Sequence, residues 1–590
     1  MEFQFPLAEP DYTGKRTLDF TPFADALAAL SADRTVVMDE LLAAATLLDM
    51  QRLMARGELS AVELVTYYVA RILHYDVDKL NAVMELNPQA LKDARALDAE
   101  RASGGTRGPL HGIPVLIKDN IATGDGMHTA AGAWALREWQ PRRDAFLVAQ
   151  LRKAGAVILG KANLSEWANY MDPSMPNGFS VLGGQTRCPC GPFDPSGSSS
   201  GSGVAVAANL AAVAVGSETQ GSIIMPAEAN GVVGLKVSLG LISRDHIIPL
   251  IDWMDVPGPL GRTVTDVAVL LGAMTGVDDS DEATKAAAAQ AAGGKLRSDY
   301  TQYLDAGRAA GMRVGLVTMD EAAVAALAAA WADGEENAAQ IEQNCREIRL
   351  WEARMQEQAR MLATLGVEVV EIAAADVPLE PPITKVIDYA FREALNRFLQ
   401  GLGDEAPVKS LAEIVAVNAQ DLRNRAPYGQ GHLVSAQSCT MTAKAYVATA
   451  EAHRAVARQL GTLFAEYRLD ALLSKSQVYA AAGFPAISVP AGRDEKGQPY
   501  DTTLLGNFLG EDRLITLGYA FEQARIAMSR GRWRTQAFAR RPRDVSWRPR
   551  DMYYRINSQA TGWIAGRISF SMARRTACGE PGVLKITLSR

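Results

Sequence analysis

The sequence predicts an α/β fold, one large domain on a largely parallel sheet. Two short apolar runs, Pro114-Val115-Leu116-Ile117 and Ala156-Val157-Ile158-Leu159, flank a helical segment around residues 144–153. Runs of this length bounded by breakers read as buried strands, and strand, helix, strand at this spacing is the unit of a parallel sheet. A third run, Ala211-Ala212-Val213-Ala214-Val215, follows a small-residue stretch at 204–209 that reads as a packed helix. No repeat of fixed period and no long linker interrupts the chain before residue 525, so one large domain is expected rather than several small ones.

The elements follow in order. Residues 1–39 read as irregular, with Pro6, Pro10 and Gly14. Ser60-Ala61-Val62-Glu63 is a capping box, and Val62, Val65, Val69, Ile72 and Leu73 then share one helical face. Pro109 to Gly112 breaks that pattern before the first strand, which ends at Lys118-Asp119-Asn120. Residues 171–203 carry five prolines among many Gly and Ser and read as loop. Residues 311–319 and 366–372 read as strands, with one or two helices between them at 320–364. Residues 409–470 read as helical, and Ala482 to Pro490 as a turn and strand.

The 590 residues are 48% apolar and 22% charged, a soluble balance that can bury a core without disulfide or metal staples. A net charge of −7 argues against a general nucleic-acid binder. No apolar stretch approaches the ~18 residues of a membrane span. The N-terminus lacks the basic and apolar regions of a signal peptide. Five cysteines, Cys188, Cys190, Cys345, Cys439 and Cys578, contain no second close pair to complete a zinc site. Free thiols in the cytoplasm are the expectation. From Arg525 to Arg590 there are 15 Lys/Arg and 3 Asp/Glu, a net of +12, whereas the rest of the chain is net −19. This shift predicts a main domain at 40–525 and a basic, poorly ordered tail at 526–590.

Three segments could carry chemistry. Gly197-Ser198-Ser199-Ser200-Gly201-Ser202-Gly203 lacks the lysine of a P-loop and the third glycine of a dinucleotide fingerprint. It is preceded by a proline-rich loop, not the strand that a nucleophile elbow around Ser199 needs. His111 and His128 lie in turn-like contexts and read as incidental. Gly216-Ser217-Glu218-Thr219-Gln220-Gly221-Ser222-Ile223 follows a buried strand, where small residues can turn consecutive N–H groups toward one point. Lys118 ends an apolar strand, and a lysine buried there loses its charge easily enough to act as a base. A lysine base, a serine relay and a serine nucleophile can cleave amides without histidine.

These segments resemble the amidase signature family of Ser–cis-Ser–Lys hydrolases, and among its members the peptide amidases most. The matching stretches are His111–Asn120, Gly160–Glu166, Gly184–Arg187, Gly197–Gly203, Glu218–Ile223, Gly231–Lys236 and Asp255–Pro259, in family order. The resemblance implies a mixed, mostly parallel sheet surrounded by helices, no metal and no organic cofactor. It places Lys118 at the base position, Ser198 at the cis-serine position and Ser222 at the nucleophile position. The backbone N–H groups of Thr219, Gln220, Gly221 and Ser222 would form the oxyanion hole. The implied activity is amide hydrolysis on a small-molecule or short-peptide amide, peptide C-terminal amides first. Aryl or alkyl amides, carbamates or a biosynthetic metabolite amide are alternatives. So are the glutamine-hydrolysing component of a tRNA-dependent amidotransferase and a non-catalytic binding protein. Departures from the family pattern at Ala133, Ile224, Glu228 and Val237 leave the triad intact, and Glu228 and Trp134, next to Ala133, are candidates for reshaping the acyl pocket.

Overall fold

The structure is a computed structural model that describes residues 10–330, 338–379 and 383–535. The described residues belong to one compact unit, Met1–Gln536. Their main sheet has eleven strands: β1 (Val83–Leu86), β2 (Pro114–Lys118), β3 (Val157–Ala162), β4 (Val213–Glu218), β5 (Val233–Lys236), β6 (Val256–Gly261), β7 (Arg313–Thr318), β8 (Glu368–Ala373), β9 (Ala471–Leu473), β10 (Ala486–Arg493) and β11 (Pro499–Gly506). The order across the sheet is β1-β3-β2-β4-β6-β5-β10-β11-β9-β7-β8.

The mixed α/β sheet matches expectation, and its parallel part forms two blocks. Strands β3, β2 and β4 run parallel, as do β9, β7 and β8. The stretch between the blocks and the β1 edge pair antiparallel, so six of the ten pairings are antiparallel. The reason is connection length. Helical crossovers such as Phe146–Lys153 return the chain parallel, whereas β10 and β11 are joined by a tight turn that reverses it.

Strand β6 was hidden by Pro257 and Pro259, residues that interior strands exclude. Its register explains them. β6 pairs with β5 only at Leu260 and Gly261, so both prolines lie beyond that pairing and need no donor on that side. All five residues of β2 are buried, and β2 lies between β3 and β4. The capping box at Ser60 starts α1 (Ala61–Arg71) as expected, with Val65 and Val69 buried.

Two terminal expectations are corrected. Within the segment 1–39 read as irregular, Ala24–Ala29 is helical and Ala32–Leu42 begins a second helix. Ser31 caps the latter by accepting the Arg34 N–H, and Phe23, Leu27, Met38 and Leu42 anchor the segment in the core. No break falls at residue 525: the last helix runs from Glu511 to Thr535. Composition marked a change of charge, while buried Leu514, Ile515, Leu517 and Phe521 hold the backbone in one helix. The remainder of the basic segment 526–590, with Cys578, lies outside the described residues. Among the described residues no helix is long and apolar enough to cross a membrane.

The serine block opens α2 (Ser200–Ala207), which packs by backbone approach. A Cβ on Gly201 would lie 2.4 Å from the carbonyl oxygens of both Ala82 and Asn163. Gly201→Ala is therefore expected to destabilise the fold by about 2 kcal/mol, read as a lower denaturation midpoint. Gly401→Ala, whose Cβ meets no atom within 4 Å, is the matched control and should not lower it.

Candidate active site

Lys118 is the last residue of β2 and is fully buried. Its Nζ lies 2.8 Å from Ser198 Oγ, 2.9 Å from Ser199 Oγ and 3.0 Å from the Ser217 carbonyl oxygen. Burial disfavours the ammonium and lowers its pKa to about 7, against the upward pull of Glu218 and Asp255.

The hydroxyl of Ser199 fixes how this amine is used. Ser199 Oγ donates to the Ser217 carbonyl at 3.0 Å and accepts the Ser217 N–H at 3.2 Å. With its proton directed there, Ser199 can only accept from Lys118. A neutral amine has two N–H bonds and one lone pair. Ser199 and the Ser217 carbonyl take the two N–H bonds, which leaves the lone pair facing the Ser198 hydroxyl.

The serine block is clamped from several sides. The Gly197–Ser198 peptide is cis, and the Ser198 carbonyl accepts the Ser165 N–H at 3.0 Å. Gly201 N–H donates to Asn163 at 3.0 Å. Gly216 must be glycine, since a Cβ there would sit 2.7 Å from Ser199 Oγ. The Ser199 N–H donates to the Ser222 carbonyl at 3.2 Å, which ties the block to the second serine segment. Ser198 is fully buried, and Ser222 is 9% exposed.

The segment after β4 is shaped by two carboxylates. Glu218 accepts the N–H groups of Gly221, Ile223 and Ile224 at 2.7, 2.6 and 3.1 Å. Thr219 Oγ1 donates to Asp255 at 2.5 Å, and the other Asp255 oxygen accepts the Leu250 and Ile251 N–H groups at 2.7 and 2.9 Å. One expectation changes as a result. Of the four amides assigned to an oxyanion hole, that of Gly221 is engaged by Glu218. Gly221 has φ +79°, the left-handed turn for which glycine is suited.

Lys118, Ser198 and Ser222 are thus brought to one end of the sheet. Sequence reasoning missed Ser199 as an orienting group and Glu218 and Asp255 as loop holders. The available signal for the last two was a carboxylate at the end of an apolar strand and another opening a Pro-Gly-Pro motif. The histidines are structural: His111 is buried with its ring between the Arg107 N–H and the Leu97 carbonyl, and His128 contacts Glu85. Glu228 accepts from Lys475 at 2.7 Å in a cluster that includes Asp501. Burial, then Asp501, raises the Glu228 pKa to about 7. Trp134 packs against the Arg137 and Arg425 guanidinium groups. A cavity of about 420 Å³ opens beside Asn120 and Ser217–Thr219, walled by Ile248, Leu250, Phe398 and Leu402. That volume suits a small organic ligand.

The amidase family profile matches residues 63–350. A probable amidase of Arabidopsis thaliana is 36% identical over 492 residues, covering 82% of this chain and 90% of that protein. The native peptide amidase of Stenotrophomonas maltophilia has a TM-score of 0.71 and 37% identity, covering 85% of this chain and 99% of the other. An amidase family protein from Bacillus anthracis has a TM-score of 0.76 and 35% identity over 88% and 98% of the two chains. A glutamyl-tRNA(Gln) amidotransferase component of Synechococcus elongatus is 30% identical over 517 residues, 81% of this chain and 98% of that one.

Because a carboxylate accepting three backbone N–H groups is worth more than neutral partners, Glu218→Ala is expected to lose about 3 kcal/mol. Chemical denaturation with an unchanged slope and a lower midpoint is the expected reading.

Proposed function

This chain belongs to the amidase signature family and is an amide hydrolase, and from that premise we propose that it works through a serine acyl-enzyme, with peptide C-terminal amides as its first substrate class. The observation that carries the chemistry is the Lys118 amine, 2.8 Å from Ser198 and oriented by Ser199 and Ser217. The substrate class rests on the likeness to the peptide amidase of Stenotrophomonas maltophilia over 85% of this chain.

In this reading neutral Lys118 takes the Ser198 proton, and Ser198 takes that of Ser222. Ser222 attacks the amide carbonyl. The N–H groups of Thr219, Gln220 and Ser222 face the tetrahedral oxyanion, and the Glu218 contact keeps Gly221 as the turn that aims them. Such donors act strongly because they are in position before charge develops. The proton then returns along the same route to the leaving nitrogen, and water hydrolyses the ester on Ser222.

The 30% identity to the Synechococcus amidotransferase component supports one second reading, hydrolysis of glutamine in company with a partner chain. Ammonia release by the purified chain separates the two. Release from amidated dipeptides is expected, with none from free glutamine. Activity on glutamine alone, appearing only with a partner, would reverse the assignment.

Ser222→Ala and Lys118→Ala are each expected to lower kcat/KM by at least about a thousandfold, and Ser198→Ala by somewhat less. Retention of activity within about tenfold in purified Ser222→Ala would sink the scheme. The pH profile carries its own sign. Below about 7 Lys118 is protonated and its third N–H points at Ser198, so no lone pair remains. The rate should therefore fall about tenfold per pH unit below that point and level off above it. A flat profile across the same range excludes a lysine base.

A further inference from the structure

The loop that leads into Gly197 carries two cysteines separated only by Pro189. Both are free thiols. Cys188 is 3% exposed, and Cys190 is half-buried. The Cys190 N–H donates to Cys188 Sγ at 3.4 Å. The Arg493 guanidinium donates to Cys190 Sγ at 3.4 Å.

The same sulfurs touch the helix that follows Ser222, α3 (Ile224–Asn230). Cys188 Sγ lies 3.6 Å from the Ala229 carbonyl oxygen and Cys190 Sγ 3.7 Å from that of Asn230. Asn230 Nδ2 joins the Pro195 and Pro226 carbonyls at 2.9 and 2.8 Å. The dithiol therefore sits at the seam between the loop before Ser198 and the helix after Ser222.

We propose that Cys188 and Cys190 are a modification site for hydroperoxides, at which Cys190 is the attacking thiolate and Cys188 the resolving thiol that closes a disulfide.

The roles follow from the asymmetry of the pair. Cys190 is the more exposed of the two and carries the Arg493 guanidinium on its sulfur, a cation that favours the thiolate. Cys188 is buried and gives its S–H to the Ala229 carbonyl, so it stays the thiol. In the first step the Cys190 thiolate attacks a hydroperoxide oxygen. An S–O bond forms, the O–O bond breaks, and the departing oxyanion takes a proton from water, leaving a sulfenic acid. In the second step the Cys188 sulfur attacks the sulfenic sulfur. The S–S bond forms, the S–O bond breaks, and the hydroxyl leaves as water with the Cys188 proton. The two thiols lose two electrons, and the hydroperoxide gains them.

The test uses the full-length wild-type chain at pH 7, treated with hydrogen peroxide, alkylated without reductant and mapped by peptide mass. The peptide holding Cys188 and Cys190 is expected to lose two hydrogen atoms, to resist iodoacetamide and to recover with dithiothreitol. It should do so about tenfold faster than Cys345 or Cys439 is oxidised. With dimedone present, Cys188→Ser should give a labelled Cys190, whereas Cys190→Ser should leave Cys188 unlabelled. Two alkylatable thiols persisting at 188 and 190 while Cys439 oxidises would overturn the proposal. So would dimedone on Cys188 in place of Cys190.

Discussion

An amine buried at the end of a strand is the constraint around which this protein is arranged. Removing an ammonium from water costs several kcal/mol, so Lys118 is tolerable there chiefly because it can be neutral. Two nearby carboxylates, Glu218 and Asp255, pull the other way and keep its pKa near neutrality. Both are committed to backbone amides. They thus act on the lysine through space, as charges, while serving as scaffold for the loops.

Everything that meets the amine arrives on a different segment. β2 brings Lys118, β4 brings the Ser217 carbonyl, and the start of α2 brings Ser198 and Ser199. That convergence requires backbone to approach backbone, which is why Gly201 and Gly216 stand where any side chain would collide. It also requires loops held in shape beforehand. Asp119 accepts the Gly132 N–H at 2.9 Å, and Lys161 donates to Ile121 and Thr129 at 2.6 and 2.8 Å, bracing the chain that follows β2. Groups fixed in this way lose little entropy when a substrate arrives.

Much of this was legible in the chain. The strands that carry the site are continuous apolar runs because they are covered on both faces, and that pattern is visible without coordinates. The elements that escaped lack it. β1 is four residues long, and β6 is a run of Pro and Gly made possible by a register that asks nothing of those positions. The first helices and the crossing of residue 525 by the last one were missed for a different reason. A few buried side chains decide them, not their local composition.

The sequence by itself determined the candidates: a lysine ending a strand, a serine-rich turn and a second serine after a strand, in an order that resembles one hydrolase family. Residue type and order are properties of a line of text, and the roles proposed for these residues come from that resemblance. Only the tertiary structure decided how the parts are wired. Ser199, held by Ser217, became a partner of the Lys118 amine, and the Gly221 amide is engaged by Glu218. Hydrogen-bond direction depends on which neighbour already holds each proton. The Lys118 contacts join residues 80 and 99 positions apart, and even the Ser199–Ser217 and Glu218–Gly221 contacts, 18 and 3 positions apart, are made only by the folded backbone.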